Sequence, residues 1–241
     1  MLEKTQCFTL YRRDQSGNRI DNITDWALAQ FRHHYANLPI PQSPNLPISN
    51  PQSPISKHDI FHYVYAVLHH PAYREKYRLN LKRDFPRIPF YPDFWQWAAW
   101  GKALMALHLH YETIEPHPLL RHETDPETTR TAYKAKLKAD KANGTIELDT
   151  LTTLSGIPAL AWQYQLGNRS ALEWVLDRYK ERTPKDPTIR EQFNSYRFAD
   201  YKEQVIDLLG RITAVSLQTM HIIHAMNGTM NGAMPATVET A

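Results

Sequence analysis

The chain has 241 residues, with 28 Lys+Arg against 25 Asp+Glu and a single cysteine, Cys7. That length suits one large domain or two small ones with a true core, and a lone cysteine excludes a disulfide framework or a zinc site built on several thiolates. A formal net charge of +3 is too mild to demand a nucleic acid, so a polyanionic partner would require the cations to be gathered on one face.

In chain order, Cys7-Phe8-Thr9-Leu10-Tyr11 is a short β-prone run and Ser16-Gly17-Asn18 a turn. Thr24 is placed to cap a helix over 25–35, with Trp26, Leu28 and Phe31 supplying apolar surface. From Pro39 to Pro54 six prolines and a repeated Pro-Gln-Ser-Pro remove backbone donors, so 39–55 is expected to be an exposed insertion. Ser56-Lys57-His58-Asp59 resembles a capping box for a helix bearing Ile60, Phe61, Val64, Val67 and Leu68, which Pro71 breaks. A further helix over 72–84 would carry Tyr73, Tyr77 and Leu81 on one stripe and Arg74, Arg78 and Lys82 on another, a cationic ridge.

Pro86, Pro89 and Pro92 then stiffen a corner rich in aromatic side chains. Phe85, Phe90, Phe94 and Trp97 are expected to anchor it in the core, with Arg83 and Arg87 held outward. Asp93 can cap a helix over 94–111, apolar nearly all round and therefore central. Tyr133–Ala139 alternates and places Lys134, Lys136 and Lys138 on one strand face. Asn143-Gly144 signals a hairpin into Thr145–Asp149, and 162–166 reads as a third strand. Ser170-Ala171-Leu172-Glu173 is a capping box. A long helix over 199–226 spaces Tyr201, Val205, Leu208, Ile212, Val215, Thr219, Ile222 and Met226 along one stripe, ahead of a polar tail (227–241) expected to be disordered. The fold class is therefore α+β: mainly helical, with a small antiparallel sheet and a long C-terminal helix, in one domain spanning 1–226.

Catalytic signatures are sparse. Eight glycines include no phosphate-cradling G-x-x-x-x-G-K-S/T or G-x-G-x-x-G, and no G-x-S-x-G or H-E-x-x-H occurs. His58-Asp59 with His62 at i+4 invites a metal-dependent hydrolase, but Asp59 reads as a cap and no second carboxylate has diagnostic spacing. No catalytic residue, metal or cofactor is expected. With no apolar signal segment and no long apolar run, a soluble, cytoplasmic protein without a membrane partner is expected. Lysines aligned on one strand face repel unless an anion lies opposite. The Asn168-Arg169-Ser170 turn puts an arginine beside a helix start, which suits a phosphate.

Several ordered blocks carry a resemblance: "DIFHYVYAVLHHPAYREKY", "LKRDFPRIPF", "LHLHYE", "LSGIPALAWQYQLGNRSALEWVLDRY" and "KDPTIREQFNSYRFADYKEQVIDLLGRITAVSLQTM". Together they resemble the C-terminal specificity domain of type ISP restriction-modification enzymes, from about Gln6 to Ile223 apart from the proline-rich insertion. "WQYQLGNRSALEWVLDRY" also resembles a block of other restriction-modification target-recognition regions. In that family one long polypeptide joins nuclease, helicase-like ATPase, adenine methyltransferase and this domain, and the motifs of the first three are absent from this sequence. The resemblance implies a non-catalytic reader of double-stranded DNA. Phosphate contacts are expected from Arg74, Arg78, Lys82, Arg83, Arg87, Lys134, Lys136 and Lys138, and base contacts from Asn168, Arg169, Arg190, Asn194 or Arg197. The alternatives are a module whose 199–226 helix docks on a separately encoded helicase or methyltransferase, and the metal-dependent hydrolase.

Overall fold

The computed structural model describes residues 8–36, 54–125, 132–183, 185–193 and 196–230. The expected insertion (but for Pro54 and Ile55), the tail beyond Met230 and Asn194 lie outside the described residues. The chain divides into two compact units, 1–106 with 222–241 and 107–221.

The first unit is helical. A two-stranded ribbon, β1 (Tyr11–Arg13) with β2 (Arg19–Asp21), turns at Gly17, whose φ of +84° suits glycine. The strand begins where the expected 7–11 run ends, because Asp14 organises the turn: its Oδ1 accepts the amides of Ser16 (2.9 Å) and Asn18 (2.8 Å). Helix α1 (Asp25–Tyr35) is capped by Thr24, and α2 (Lys57–His69) by the complete Ser56/Asp59 box. Proline 71 opens α3 (Pro71–Lys76), a position where its missing N–H costs nothing. This helix stops at Lys76 instead of reaching residue 84; turns and a 3₁₀ segment (Asn80–Lys82) follow. Helix α4 (Phe94–Leu109) starts at Asp93, which accepts the Gln96 amide at 3.0 Å. Its Gly101 lies against α2 so closely that an added Cβ would sit 1.7 Å from the His62 carbonyl oxygen. Tyr63, Phe31, Tyr73, Phe94, Trp97 and Leu104 form the core.

The second unit is built on a four-stranded antiparallel sheet in the order β3-β6-β5-β4, made of β3 (Leu120–Glu123), β4 (Ala135–Asp140), β5 (Thr145–Asp149) and β6 (Thr152–Ser155). The Asn143-Gly144 hairpin joins β4 to β5 as expected, with Gly144 at φ +62°. Within 162–166 only Gln165–Leu166 (β7) is extended. It pairs with Arg169–Ser170 (β8) in a separate ribbon, after a 3₁₀ turn over Ala159–Gln163 that buries Trp162. Helix α5 (Ala171–Arg178) carries the predicted capping box, and α6 (Pro187–Phe193) follows. After a 3₁₀ turn (Phe198–Tyr201), α7 (Lys202–Met230) is the long C-terminal helix, starting three residues later than expected and passing residue 226.

Leu137, Ile146, Leu148, Leu154, Trp162, Leu172, Leu176, Phe198, Val205 and Leu209 make the core of this unit. The buried face of α7 is broader than the expected stripe. Val205, Val215, Thr219 and Met226 are buried as expected and Leu208, Ile212 and Ile222 only partly, Leu209, Thr213, Met220 and Ile223 are buried beside them, and Tyr201, ahead of the helix, is exposed. Buried hydroxyls are tolerated because Thr213 donates to the Leu209 carbonyl and Ser216 to that of Ile212, each at 2.7 Å. At the β5–β6 turn the buried Asp149 accepts the amides of Leu151 and Thr152 at 2.8 Å through Oδ1, and its Oδ2, which has no hydrogen bond, lies 3.0 Å from Lys202 Nζ, so a charge that would be costly alone has a cation beside it.

Candidate nucleic-acid interface

The first unit concentrates charge between Arg74 and Arg87: six cations stand against two carboxylates in fourteen residues. All six cations (Arg74, Lys76, Arg78, Lys82, Arg83 and Arg87) are exposed. Among the described residues only Arg78 makes an ion pair, with Glu75 at 3.8 Å. Because α3 ends early, Arg74, Arg78 and Lys82 do not form one helical ridge; they lie on a helix, a turn and a 3₁₀ segment in succession. Tyr73, Tyr77 and Leu81 still pack on the core, which holds the intervening backbone down and leaves the cations outward.

What fixes the end of this segment is a set of tyrosine hydroxyls. Pro86, Pro89 and Pro92 deprive the corner of amide donors, so its carbonyls cannot be satisfied by a ladder. Tyr73 donates to the Arg87 carbonyl (2.8 Å), Tyr63 to Pro89 (2.7 Å) and Tyr35 to Tyr91 (2.6 Å), while Tyr63 accepts the Tyr91 amide at 2.6 Å. Burial pushes the hydroxyls of Tyr35 and Tyr91 up to about 12 and that of Tyr63 higher still, so they remain neutral. Phe94 and Trp97 anchor the corner in the core and Phe90 stacks on His34 (4.3 Å), but Phe85 does not join them. It is 69% exposed, in edge contact with Phe8 at 5.6 Å.

In the second unit Lys136, Lys138 and Arg169 line one open groove of about 380 Å3 with Glu173, Asp177 and Lys180. Strand β4 carries a bulge here: three steps from Ala135 to Lys138 oppose two from Asp149 to Glu147, and Leu137 takes a left-handed φ of 48°. Lys136 meets Glu147 at 3.3 Å, whereas Lys138 makes no ion pair among the described residues. Lys134 precedes the strand, its amide bonded to Thr150 Oγ1 at 3.1 Å.

Arg169 is gripped from two sides, by Asp177 at 3.1 Å and by the ring of Trp174, 5.2 Å from its guanidinium carbon. The Trp174 ring is fixed in turn by its Nε1–H, which donates to the Leu166 carbonyl at 2.7 Å. Asp177 also pairs with Arg182 at 2.9 Å. Partial desolvation raises its carboxyl, but the two arginines outweigh that and hold it below the usual range. Asn168 is exposed beside Gly167 (φ +72°) at the tip of the β7–β8 turn.

Arg190, on α6, donates to the Lys185 carbonyl at 3.3 Å, and Arg197 donates to that of Tyr196 at 2.9 Å. Neither lines the groove around Lys136 and Arg169. Sequence reasoning passed over Lys76, Lys180, Trp174 and Asp177. The spacing of Trp174 and Asp177 at i, i+3 on a capped helix five residues after Arg169 was the available signal.

His58, the centre of the metal-hydrolase alternative, shares a 3.0 Å hydrogen bond with the Tyr11 hydroxyl, and Asp59 is committed to the Ser56 cap. Among the described residues no group of three His, Cys, Asp or Glu side chains is placed to hold a metal ion. No described helix is long and apolar enough to cross a membrane.

Residues 1–208 match the family described as the type ISP C-terminal specificity domain. Among solved structures, the chain is similar to the DrdV–DNA complex, with 55% identity over 99% of this chain and 22% of that one, and a TM-score of 0.79. A nuclease-deletion mutant of the type ISP restriction-modification enzyme LlaGI, in complex with a DNA substrate mimic, is 30% identical over 72% of this chain and 16% of that one, with a TM-score of 0.55. The ATP-dependent type ISP restriction-modification enzyme LlaBIII bound to DNA shares the fold, at 24% identity over 89% of this chain and 13% of that one, TM-score 0.61. The chain thus spans 22% or less of the length of these solved relatives. No curated protein sequence matches it. By the match over residues 1–208, this chain belongs to the type ISP C-terminal specificity domain family.

Proposed function

We propose that this chain is the DNA target-recognition module of a restriction-modification system, contributing recognition and no chemistry of its own. The observation that carries the proposal is the segment from Arg74 to Arg87, with six exposed cations of which one is paired, tied down by buried tyrosines. Cations held in place lose little freedom on meeting phosphate, so more of the contact energy remains as affinity. The two basic regions divide the work. The cations between Arg74 and Arg87 that make no ion pair among the described residues supply sequence-independent phosphate contacts, whereas Arg169, aimed by Asp177 and Trp174, suits a base edge. That the solved relatives are DNA complexes supports the same reading. Nuclease, motor and methyltransferase activities would reside in other polypeptide regions, acting with this module in the cytoplasm.

Titration of duplex binding against salt tests the proposal. Six phosphate contacts give a log–log slope of about −5 through counterion release. Absence of binding to any duplex at low salt refutes it. Docking of the C-terminal helix on a separate subunit is the weaker reading, since Val205, Leu209 and Met226 are already buried in the chain's own cores.

A further inference from the structure

The proline corner contains a cavity that phosphate binding leaves unused. About 210 Å3 lie among Tyr77, Asn80, Asp84, Phe85, Pro86 and Arg87, below the size of a drug-like pocket and suited to one small planar group. Phe85 forms part of this wall although it is 69% exposed, and Leu79 close by is 65% exposed. Prolines fix the backbone around Phe85, so the ring is held at the surface. Large apolar groups displayed amid cations need an occupant with both an apolar face and negative charge nearby.

Charge complementarity selects a polyanion, and the tyrosine and phenylalanine rings select a π face within it. Asn80, Asp84 and Arg87, which also line it, carry donors and acceptors of the kind that read a base edge. A paired duplex hides its base faces in the stack, so only an unpaired base can enter such a cavity. We infer that the cavity between Tyr77 and Phe85 takes a single unpaired nucleobase of a DNA strand whose phosphates the surrounding cations hold. This inference rests on the DNA-binding reading above.

The test compares the full chain on a fully paired duplex and on the same duplex carrying one central unpaired adenine. Wild type binds the second roughly tenfold more tightly, in line with base–aromatic stacking. Phe85→Ala, at an exposed position, keeps its thermal melt and its affinity for the paired duplex to within about twofold but loses the preference. Equal affinity of wild type for the two duplexes overturns the inference and leaves duplex binding standing, as does a preference that survives in Phe85→Ala. Binding to neither duplex removes the underlying reading and the cavity's role with it.

Discussion

Replacing Tyr63 by phenylalanine isolates the hydroxyl that ties the proline corner to the core. The ring is fully buried, stacked on Phe94 at 5.2 Å and edge-on to Phe31 at 5.5 Å, and phenylalanine preserves those contacts. Three hydrogen bonds disappear: the 2.7 Å donation to Pro89, the 2.6 Å acceptance from the Tyr91 amide and a long 3.4 Å acceptance from the Tyr35 hydroxyl. Each of the two short bonds contributes about 1 kcal/mol net, and the second leaves an amide orphaned in a residue that is 5% exposed, adding about 1–2 kcal/mol. The expected loss is about 3–4 kcal/mol. Tyr73→Phe removes a donated bond to a carbonyl, Tyr35→Phe one such bond and the long contact with the Tyr63 hydroxyl, and neither orphans a buried amide, so each should cost about 1 kcal/mol. Urea denaturation of the three variants gives the ranking, and hydrogen exchange at the Tyr91 amide reports the orphaned donor directly. For Tyr63→Phe, DNA affinity should fall without a change in salt slope, because the number of cations is unaltered. A Tyr63→Phe variant within 0.5 kcal/mol of wild type, or no worse than Tyr73→Phe, would refute the claim that hydroxyls hold this corner.

Removing Lys82 and Arg83 together, as alanines, should reduce the magnitude of the log–log salt slope by about 2, read from duplex titrations. Gly101→Ala forces α2 and α4 apart at the His62 carbonyl; overpacking of about 1–3 kcal/mol or more exceeds the roughly 1 kcal/mol gained in helix propensity, so urea denaturation should show net destabilisation. Asp177→Asn frees Arg169 and removes a negative charge from the groove, so affinity for random duplex should rise while discrimination in favour of a sequence selected from a random pool falls. Burial holds His62, His69 and His70 below the ordinary histidine range. As pH falls below about 6.5 the unfolded chain takes up protons that the folded one refuses. Stability is therefore expected to drop between pH 6.5 and 5 by up to about 1.4 kcal/mol per pH unit for each such histidine, measured by denaturation across that window.

The features legible in the sequence are those encoded within a few residues. Caps at Thr24, Ser56/Asp59, Asp93 and Ser170/Glu173, and the hairpin at Asn143-Gly144, depend on side chains bonding backbone three positions away. Features set by long-range pairing were not legible. Strand β3 is exposed at all four positions and so shows no alternation, and only its partner β6 makes it a strand. The end of α3 was hidden because turns and a 3₁₀ segment keep Tyr77 and Leu81 facing the core with helix-like spacing. At the candidate interface, cation clusters were visible but their carboxylate partners were not. Lys136 pairs eleven positions along the chain with Glu147, and Arg169 eight positions along with Asp177. The tyrosine clamps span 14 to 56 positions.

The lysine-bearing strand shows how such pairing changes a charge argument. Lysines in line on one face call for an anion, and the register of β4 against β5 supplies one from inside the fold. Glu147 lies opposite Lys138 and bonds Lys136. β4 is also an edge strand, and lysines with a bulge are the devices that keep an edge from recruiting another strand. Leu137 at φ 48° costs about 1–2 kcal/mol of backbone strain, offset by burying its side chain to 2% exposure. Edge protection and internal pairing thus account for this lysine row without a phosphate, and the electrostatic case for a polyanion falls on the segment from Arg74 to Arg87. A salt slope that stays near its wild-type value in Lys136→Ala/Lys138→Ala but shrinks in Lys82→Ala/Arg83→Ala would match that division. The reverse pattern would move the phosphate-binding surface to the sheet edge.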